Sequence, residues 1–480
     1  MLRPALLAAL LVAAGCAPAT TVLDAPEPPP STEPTFDPLT EEELAESEDA
    51  DFEVPVLYDT LDNGLKVVLS VDRSAPTAIV AVYYNIGFRI EPRDRTGFAH
   101  LFEHMMFQGS ENLGKNEFIS LVQRNGGILN GSTRFDFTNY FEIVPANTLE
   151  TMLWAEADRM RGLAVTQENL TNQQGVVSNE VRVNVINQPY GGFPWLDLPQ
   201  VANENWYNAH NFYGELSDLE AATLDDVQQF FDTYYAPNNA VVVVVGDIDT
   251  DQTAEWIEEY FGGIERSDVP PRPDLSEPPQ TEEKRTTKVD SLAQRPALAF
   301  GYHMPPRNSQ SYYAMGLLNE ILLGGDDSRL HQALVNEAGV TAGVNGGVNW
   351  PLGNIFNYDG PILWSAWLVH DPATDPDSVL AIIDREIDRI AEEGVEPAEL
   401  ERAKVAFRSD FYDTLGGTFG LGRADLLASF ALFDDDPARI NTVLDRFESV
   451  TPGLLRRTAQ RVLRDENRTV ITLEAAGGGS

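Results

Sequence analysis

Two histidines four residues apart carry the clearest chemical signal in this chain. The segment 100–104 reads His-Leu-Phe-Glu-His. If it is helical, His100 and His104 lie on one face, where both imidazoles can hold a single metal ion. Glu103 then projects about 100° round the helix from His104, beside the metal, where its carboxylate could deprotonate a water on that metal. The alternative is a pair of histidines on an ordinary amphipathic helix.

Further motifs follow this segment along the chain. They occupy residues 126–140, 144–145, 153–160, 172–182, 234–239 and 245–247. The order H-x-x-E-H is that of the inverzincins, the reverse of the commoner H-E-x-x-H. Over residues 55–480 the motifs occur in the same order as in the pitrilysin, insulinase and mitochondrial processing peptidase family. The chain therefore resembles that family.

This resemblance implies a catalytic zinc site. Zinc in hydrolases takes three protein ligands and leaves a fourth position for water. The family's third ligand corresponds to Glu180, which lies in the 172–182 motif. The resemblance therefore implies that His100, His104 and Glu180 bind Zn²⁺ and that Glu103 is the general base in peptide-bond hydrolysis. The alternative for Glu180 is a solvated helix residue.

The strand that follows Gly126-Gly127 is the family's candidate for substrate binding. Residues 130–144 alternate small or polar with aromatic side chains, as a half-buried strand does. An extended peptide can add to such a strand at a sheet edge. On the resemblance, Asn130 lies near the metal and Thr133 contributes to the peptide site. An ordinary sheet strand is the equal alternative.

The chain departs from the family at three positions. Family members often carry a second glutamate where this chain has Gln173, which would alter the electrostatics of the site without removing a ligand. Self-sufficient members also carry an arginine and a tyrosine that stabilise the oxyanion. Val335 and Ala342 occupy those two positions, and neither side chain can donate a hydrogen bond.

The absence of these two hydrogen-bond donors predicts a partner subunit. Removing an oxyanion donor typically raises the barrier by about 2.7–4 kcal/mol, so the chain alone should be a poor peptidase. The pattern resembles the zinc-bearing subunit of bacterial heterodimeric members, whose sister subunit supplies the Arg/Tyr pair. Two alternatives remain: a non-catalytic peptide-binding or scaffold subunit of the same fold, and a monomeric or homodimeric peptidase in which a residue such as Arg329 takes that role.

The composition excludes one class of partner. The formal net charge is −42, and the isoelectric point is near 4.3. Such a chain cannot neutralise a phosphate backbone, so we expect no nucleic acid. The acidity suits solubility or an affinity for basic, unfolded peptides.

The N-terminus predicts export from a bacterial cell. Residues 1–16 combine Arg3 with a short apolar core and end at Cys16, the only cysteine. The end of this segment resembles a bacterial lipobox, although Ala13 stands where leucine is usual. We expect Cys16 to be lipidated and to tether the protein to a cell-envelope membrane, facing the periplasm. A plain apolar signal residue is the alternative. Residues 17–53 are Pro-rich and acidic and predict a disordered tether.

The remaining elements must position the site. Residues 65–69 and 78–84 predict strands. The motif helix should begin after Thr96 as its N-cap, and a helix over 166–187 should carry Glu180. We expect a metal-binding domain over 54–263, a Pro-rich linker over 264–290, and a related domain lacking metal ligands over 291–475. The predicted fold class is α+β, with two related α/β-sandwich domains that, on the resemblance, enclose a chamber.

Overall fold

Two β-sheets, one in each half of the chain, organise the computed structural model, which describes residues 52–476. The first sheet has the order β1-β2-β6-β3-β5-β4, and the second has the order β7-β11-β8-β10-β9. The strands of the first sheet are β1 Leu57–Thr60, β2 Lys66–Val71, β3 Thr77–Tyr84, β4 Ile128–Thr133, β5 Thr138–Pro145 and β6 Ala240–Gly246. Those of the second are β7 Lys284–Asp290, β8 Ala297–His303, β9 Asn345–Val348, β10 Leu363–Val369 and β11 Arg468–Ala475.

The second sheet repeats the topology of the first. In each sheet one pair is parallel, β2 with β6 and β7 with β11. All other neighbours are antiparallel. Reading from the parallel pair, β2-β6-β3-β5-β4 corresponds strand by strand to β7-β11-β8-β10-β9, and β1 is an addition. The predicted α+β fold with two related halves is confirmed.

The centre of the first sheet shows why these residues form strands. Residues 241–245 are five valines in succession, and all are buried in β6 between β2 and β3. β-Branched side chains favour the pleated backbone, and a strand covered on both faces has no polar positions. The even-numbered and odd-numbered valines belong to two separate apolar cores, one on each face of the sheet.

Helices cover the sheets and carry the candidate site. The helices of the first half are α1 Phe98–Met105, α2 Glu117–Arg124, α3 Leu149–Arg161, α4 Gln167–Val181, α5 Asp197–Ala202, α6 Trp206–Ala209, α7 Leu216–Ala221, α8 Leu224–Tyr234 and α9 Thr250–Phe261. Those of the second half are α10 Gln310–Leu323, α11 Arg329–His331, α12 Pro376–Glu392, α13 Pro397–Gly416, α14 Leu421–Phe433, α15 Val443–Glu448 and α16 Pro452–Val462. By chain order, α1 and α4 correspond to α10 and α13.

The structure corrects three expectations. The single strand predicted over 130–144 is a hairpin of β4 and β5, because residues 134–137 turn and pair the two strands antiparallel. The predicted linker of 264–290 ends earlier, since 284–290 pair with β11 as strand β7. The N-cap of α1 is Gly97 rather than Thr96. The Thr96 hydroxyl instead donates a hydrogen bond to the carboxylate of Asp218.

Two further expectations concern the termini and the membrane. The signal peptide, Cys16 and nearly all of the tether over 17–53 lie outside the described residues. Within 52–476, none of the helices is both long enough and apolar enough to cross a bilayer.

Candidate metal centre

The two motif histidines and Glu180 converge between α1 and α4. Nε2 of His100 lies 3.6 Å from Oε1 of Glu180, and Nε2 of His104 lies 3.3 Å from Oε2. One ligand atom from each residue falls within 4.8 Å of the other two. Helix periodicity places His100 and His104 on one face of α1, and α4 packs against that helix. Two segments distant in sequence thus present three donor atoms to one point.

The spacing of these atoms fits a tetrahedral ion. Two ligands that are each about 2.0–2.1 Å from such an ion lie about 3.3–3.4 Å apart. The separations from Glu180 to the two histidines are close to that value. Two imidazoles and one carboxylate form a donor set that zinc accepts. Among residues 52–476 this is the one group of three or more histidine, cysteine and carboxylate side chains with ligand geometry.

The protonation states suit metal binding, which needs neutral imidazole and ionised carboxylate. Burial lowers the pKa of His100 to about 4, although the nearby Glu180 acts in the opposite direction. Hydrogen bonding to His104 lowers the pKa of Glu180 below its ordinary value. His100 is therefore neutral and Glu180 charged near neutral pH.

Glu103 is not one of the three candidate ligands, and its side chain contacts strand β4. The Thr133 hydroxyl donates a hydrogen bond of 2.7 Å to Oε2 of Glu103. Burial raises the pKa of Glu103, and the bond from Thr133 opposes that shift. A carboxylate held by one oxygen and made more basic by burial is suited to accept a proton.

The two residues predicted for peptide binding occupy different environments. β4 is one of the two edge strands of the first sheet, and Asn130 is exposed on it. Thr133 on the same strand is buried, and its hydroxyl serves Glu103. The strand therefore combines an accessible outer edge, where a peptide could pair, with a contact to the candidate base.

Two residues at the site had no role in the sequence interpretation. Tyr213 directs its hydroxyl to Oε1 of Glu180 at 3.4 Å, and its ring centre lies 5.2 Å from that of His100. The buried carboxylate of Glu91 accepts hydrogen bonds from the backbone at the start of α1. Glu91 is close to the motif in sequence and could have been recognised as an acidic cap, but no sequence pattern indicates that Tyr213 would reach Glu180.

Val335 and Ala342 occupy the positions where the resemblance implies an arginine and a tyrosine, and the structure places both in the second half. Val335 is half-buried and Ala342 is exposed. Arg329, the candidate substitute, donates two hydrogen bonds of 2.8 and 2.7 Å to the carboxylate of Glu399. Its guanidinium is thus engaged in a bidentate ion pair. Gln173 is buried and donates to its neighbour Asn172.

The counterpart of the metal centre in the second half is a cleft between α10, β9 and α13. Its volume is about 260 Å³. Its polar lining includes Asn319, Glu320 and Asp410, together with aromatic side chains, and it contains no histidine. The remaining histidines of the described chain bond mainly to backbone or to single acids, consistent with structural roles.

Comparison with known proteins agrees with this fold. Residues 66–190 match the family profile described as Insulinase (Peptidase family M16), and residues 221–407 match the one described as Peptidase M16 inactive domain. The chain belongs to this family, the insulinase or M16 peptidases.

The similarity to individual relatives covers most of the chain. It is 26% identical to the zinc protease PqqE of Helicobacter pylori over 86% of this chain and 92% of that protein. A protease structure from H. pylori superposes with a TM-score of 0.81 at 24% identity, covering 88% of this chain and all of that one. The periplasmic protease PqqL of Escherichia coli superposes with a TM-score of 0.70 at 17% identity, covering 89% of this chain but only 48% of PqqL.

Proposed function

We propose that the protein is the zinc-bearing subunit of a metallopeptidase that hydrolyses unfolded peptides together with a homologous partner. The observation that carries this proposal is the convergence of His100, His104 and Glu180 at tetrahedral ligand spacing, with Glu103 held beside them by Thr133. Relatives named zinc proteases support the same reaction class.

The proposed mechanism divides the work between the metal and the chain. His100, His104 and Glu180 would hold the zinc, which would supply Lewis acidity toward the scissile carbonyl and toward water near neutral pH. Glu103 would accept a proton from the attacking water. Because Oε2 already accepts from Thr133, Oε1 is the oxygen available for the proton, which then passes to the leaving amine.

The proposed substrate is an extended peptide added to strand β4. The outer edge of β4 has no neighbouring strand in the described sheet, so a peptide can pair with its backbone. Asn130 is exposed on that strand, and we propose that its side chain bonds the peptide backbone. The negative charge of the chain favours basic peptides.

A partner is proposed because the site lacks oxyanion donors. Val335 and Ala342 cannot donate from their side chains, and Arg329 is bound to Glu399. The chain also corresponds in fold to about half of the PqqL chain. A sister subunit that carries the Arg/Tyr pair would complete the site across the chamber implied by the family. We further propose export and lipid anchoring through Cys16, in line with the periplasmic location in the name of PqqL.

A second candidate function is a non-catalytic peptide-binding or scaffold subunit. It is favoured by the profile of the M16 inactive domain, which matches residues 221–407, and by the absent Arg/Tyr pair. It predicts zinc binding without hydrolysis, whatever partner is added.

The test compares wild type, Glu103→Gln and Glu111→Gln, each alone and with the candidate sister subunit. Glu111 is an exposed carboxylate beyond the end of α1 and serves as the matched control. We expect about one zinc per chain, turnover of unstructured peptides only with the partner, and loss of turnover in Glu103→Gln with zinc retained. Unchanged turnover in that variant would refute the assigned base, and a metal-free wild type would refute the site.

A further inference from the structure

The start of the metal-binding helix is an unusual one. α1 has only eight residues and begins two residues before His100. Its N-cap, Gly97, has a positive φ of 81° and no side chain to bond the first turn. The first N–H groups of any helix lack partners within the helix, so this short helix needs a cap from elsewhere.

Glu91 supplies that cap. Its carboxylate is fully buried. Oε2 accepts a hydrogen bond of 2.9 Å from the N–H of Gly97, and Oε1 accepts one of 2.5 Å from the N–H of Ala99. A negative charge at a helix N-terminus is also stabilised by the helix dipole. One side chain thus bonds the backbone on both sides of Phe98, immediately before the first ligand.

The imidazole of His210 lies beside the carboxylate of Glu91. Nε2 of His210 lies 3.8 Å from Oε2 of Glu91 and 2.6 Å from the carbonyl oxygen of Phe88. The imidazole stacks on Trp206 with ring centres 4.2 Å apart. Full burial and the two backbone hydrogen bonds to Gly97 and Ala99 confine the carboxylate of Glu91, and those bonds connect it directly to the first turn of α1.

The same segment of chain that lies beside Glu91 also reaches Glu180. Three residues after His210, Tyr213 contacts Glu180 through its hydroxyl. The backbone of Tyr213 passes so close to Gly97 that a Cβ on the glycine would lie 2.5 Å from the carbonyl oxygen of Tyr213. The start of α1, the segment around residue 210 and the third ligand are consequently one packed unit.

We propose that Glu91 is a positioning residue for the metal centre, fixing the first turn of α1 so that His100 meets Glu180 at ligand spacing before the metal arrives. Glu91 does not touch the metal; it acts through the backbone of Gly97 and Ala99. The proposal rests on the proposed function, because it takes His100, His104 and Glu180 as the zinc ligands. Groups outside the ligand shell that orient it typically change metal affinity by about 10–100-fold when removed.

The test uses Glu91→Gln in the full chain. Glutamine has nearly the same size but only one acceptor oxygen, so its amide group must face one of the two backbone N–H donors without bonding it. Asp158→Asn is the matched control. Asp158 is equally buried in the same half of the chain and accepts from Ser110 and Asn112, and none of its bonds involves α1.

Three measurements separate positioning from general stability. Zinc affinity is measured by competition with a chelator, thermal stability by the melting temperature of the zinc-free protein, and local order by hydrogen exchange of the amides of α1. We expect Glu91→Gln to weaken zinc binding about 10-fold or more and to speed exchange at Gly97 and Ala99. Asp158→Asn should lower the melting temperature while zinc affinity stays within about twofold of wild type.

The proposal is overturned if the two variants weaken zinc binding equally, or if Glu91→Gln binds zinc as wild type does. If Glu91→Gln does not fold, wild type decides: slow exchange of the Gly97 and Ala99 amides in zinc-free protein supports the cap, and unprotected amides overturn it. A wild type that binds zinc but cleaves no peptide even with the sister subunit would refute the proposed function and leave the role of Glu91 standing.

Discussion

A buried ion pair between Arg89 and Asp136 should be the polar contact whose loss most destabilises the described chain. Both side chains are fully buried, with Nε of Arg89 and Oδ1 of Asp136 2.9 Å apart. Asp136 also accepts from the backbone N–H groups of Asp359 and Gly360 at 2.9 and 3.3 Å, and it pairs with Arg272. These partners come from the first half, the connecting segment and the second half, so one carboxylate joins all three.

The perturbation is Asp136→Asn, which keeps the shape and removes the charge. Arg89 then remains buried without a full counter-charge, and breaking a buried pair in this way costs about 3–5 kcal/mol. Asp247→Asn is the matched control, because Asp247 pairs with Arg73 at 3.6 Å with both side chains exposed. Exposed pairs contribute about 0–1 kcal/mol.

The effect should depend on pH in a defined direction. Burial acts to raise the pKa of Asp136, but Arg89 and Arg272 outweigh it, and the net pKa lies below the ordinary value. A carboxyl whose folded-state pKa is depressed stabilises the protein above its unfolded pKa of about 3.9. This stabilisation is lost as the pH falls through the folded-state value. The difference between wild type and Asp136→Asn should therefore be constant near neutral pH and shrink below about pH 4.

The assay is urea unfolding of the three proteins, followed by tryptophan fluorescence and circular dichroism, at neutral pH and at a series of acidic pH values. The free energy of unfolding of Asp136→Asn should fall by several times the loss in Asp247→Asn. Equal losses in the two variants would refute the claim that this pair joins the halves, as would a difference from wild type that grows as the pH is lowered.

Two further predictions concern the site. Thr133→Val should lower kcat about 10- to 100-fold with zinc content unchanged, because the Glu103 carboxylate loses the hydrogen bond from Thr133. A hydrogen bond to a charged group contributes about 1.5–3 kcal/mol. Thr133→Ser is the control, and a wild-type kcat in the valine variant would contradict the role of Thr133. Arg329→Met should lower the free energy of unfolding by roughly 1–3 kcal/mol and leave turnover with the partner unchanged; a fall in turnover would instead favour a self-sufficient peptidase that uses Arg329.

Much of the architecture could be predicted because it depends on local patterns. The valines of 241–245 form a buried strand, and the helix that the sequence predicts over 166–187 lies close to its observed place. The sequence does not separate β4 from β5, because residues 134–137 carry no glycine or proline to mark the turn. The sequence does not reveal strand β7, because its partner, β11, lies far along the chain and a local pattern carries no information about such pairing.

One part of the candidate site could likewise be predicted from the sequence, and the other part could not. The sequence by itself determined that His100, Glu103 and His104 share one short helix, since helix periodicity sets which side chains lie on one face. Only the tertiary structure decided that Glu180 faces both histidines, that Thr133 holds Glu103 and that Glu91 rather than Thr96 caps the helix. Contacts of this kind join segments remote in sequence, and they depend on how the sheet and helices pack rather than on any local preference of the chain.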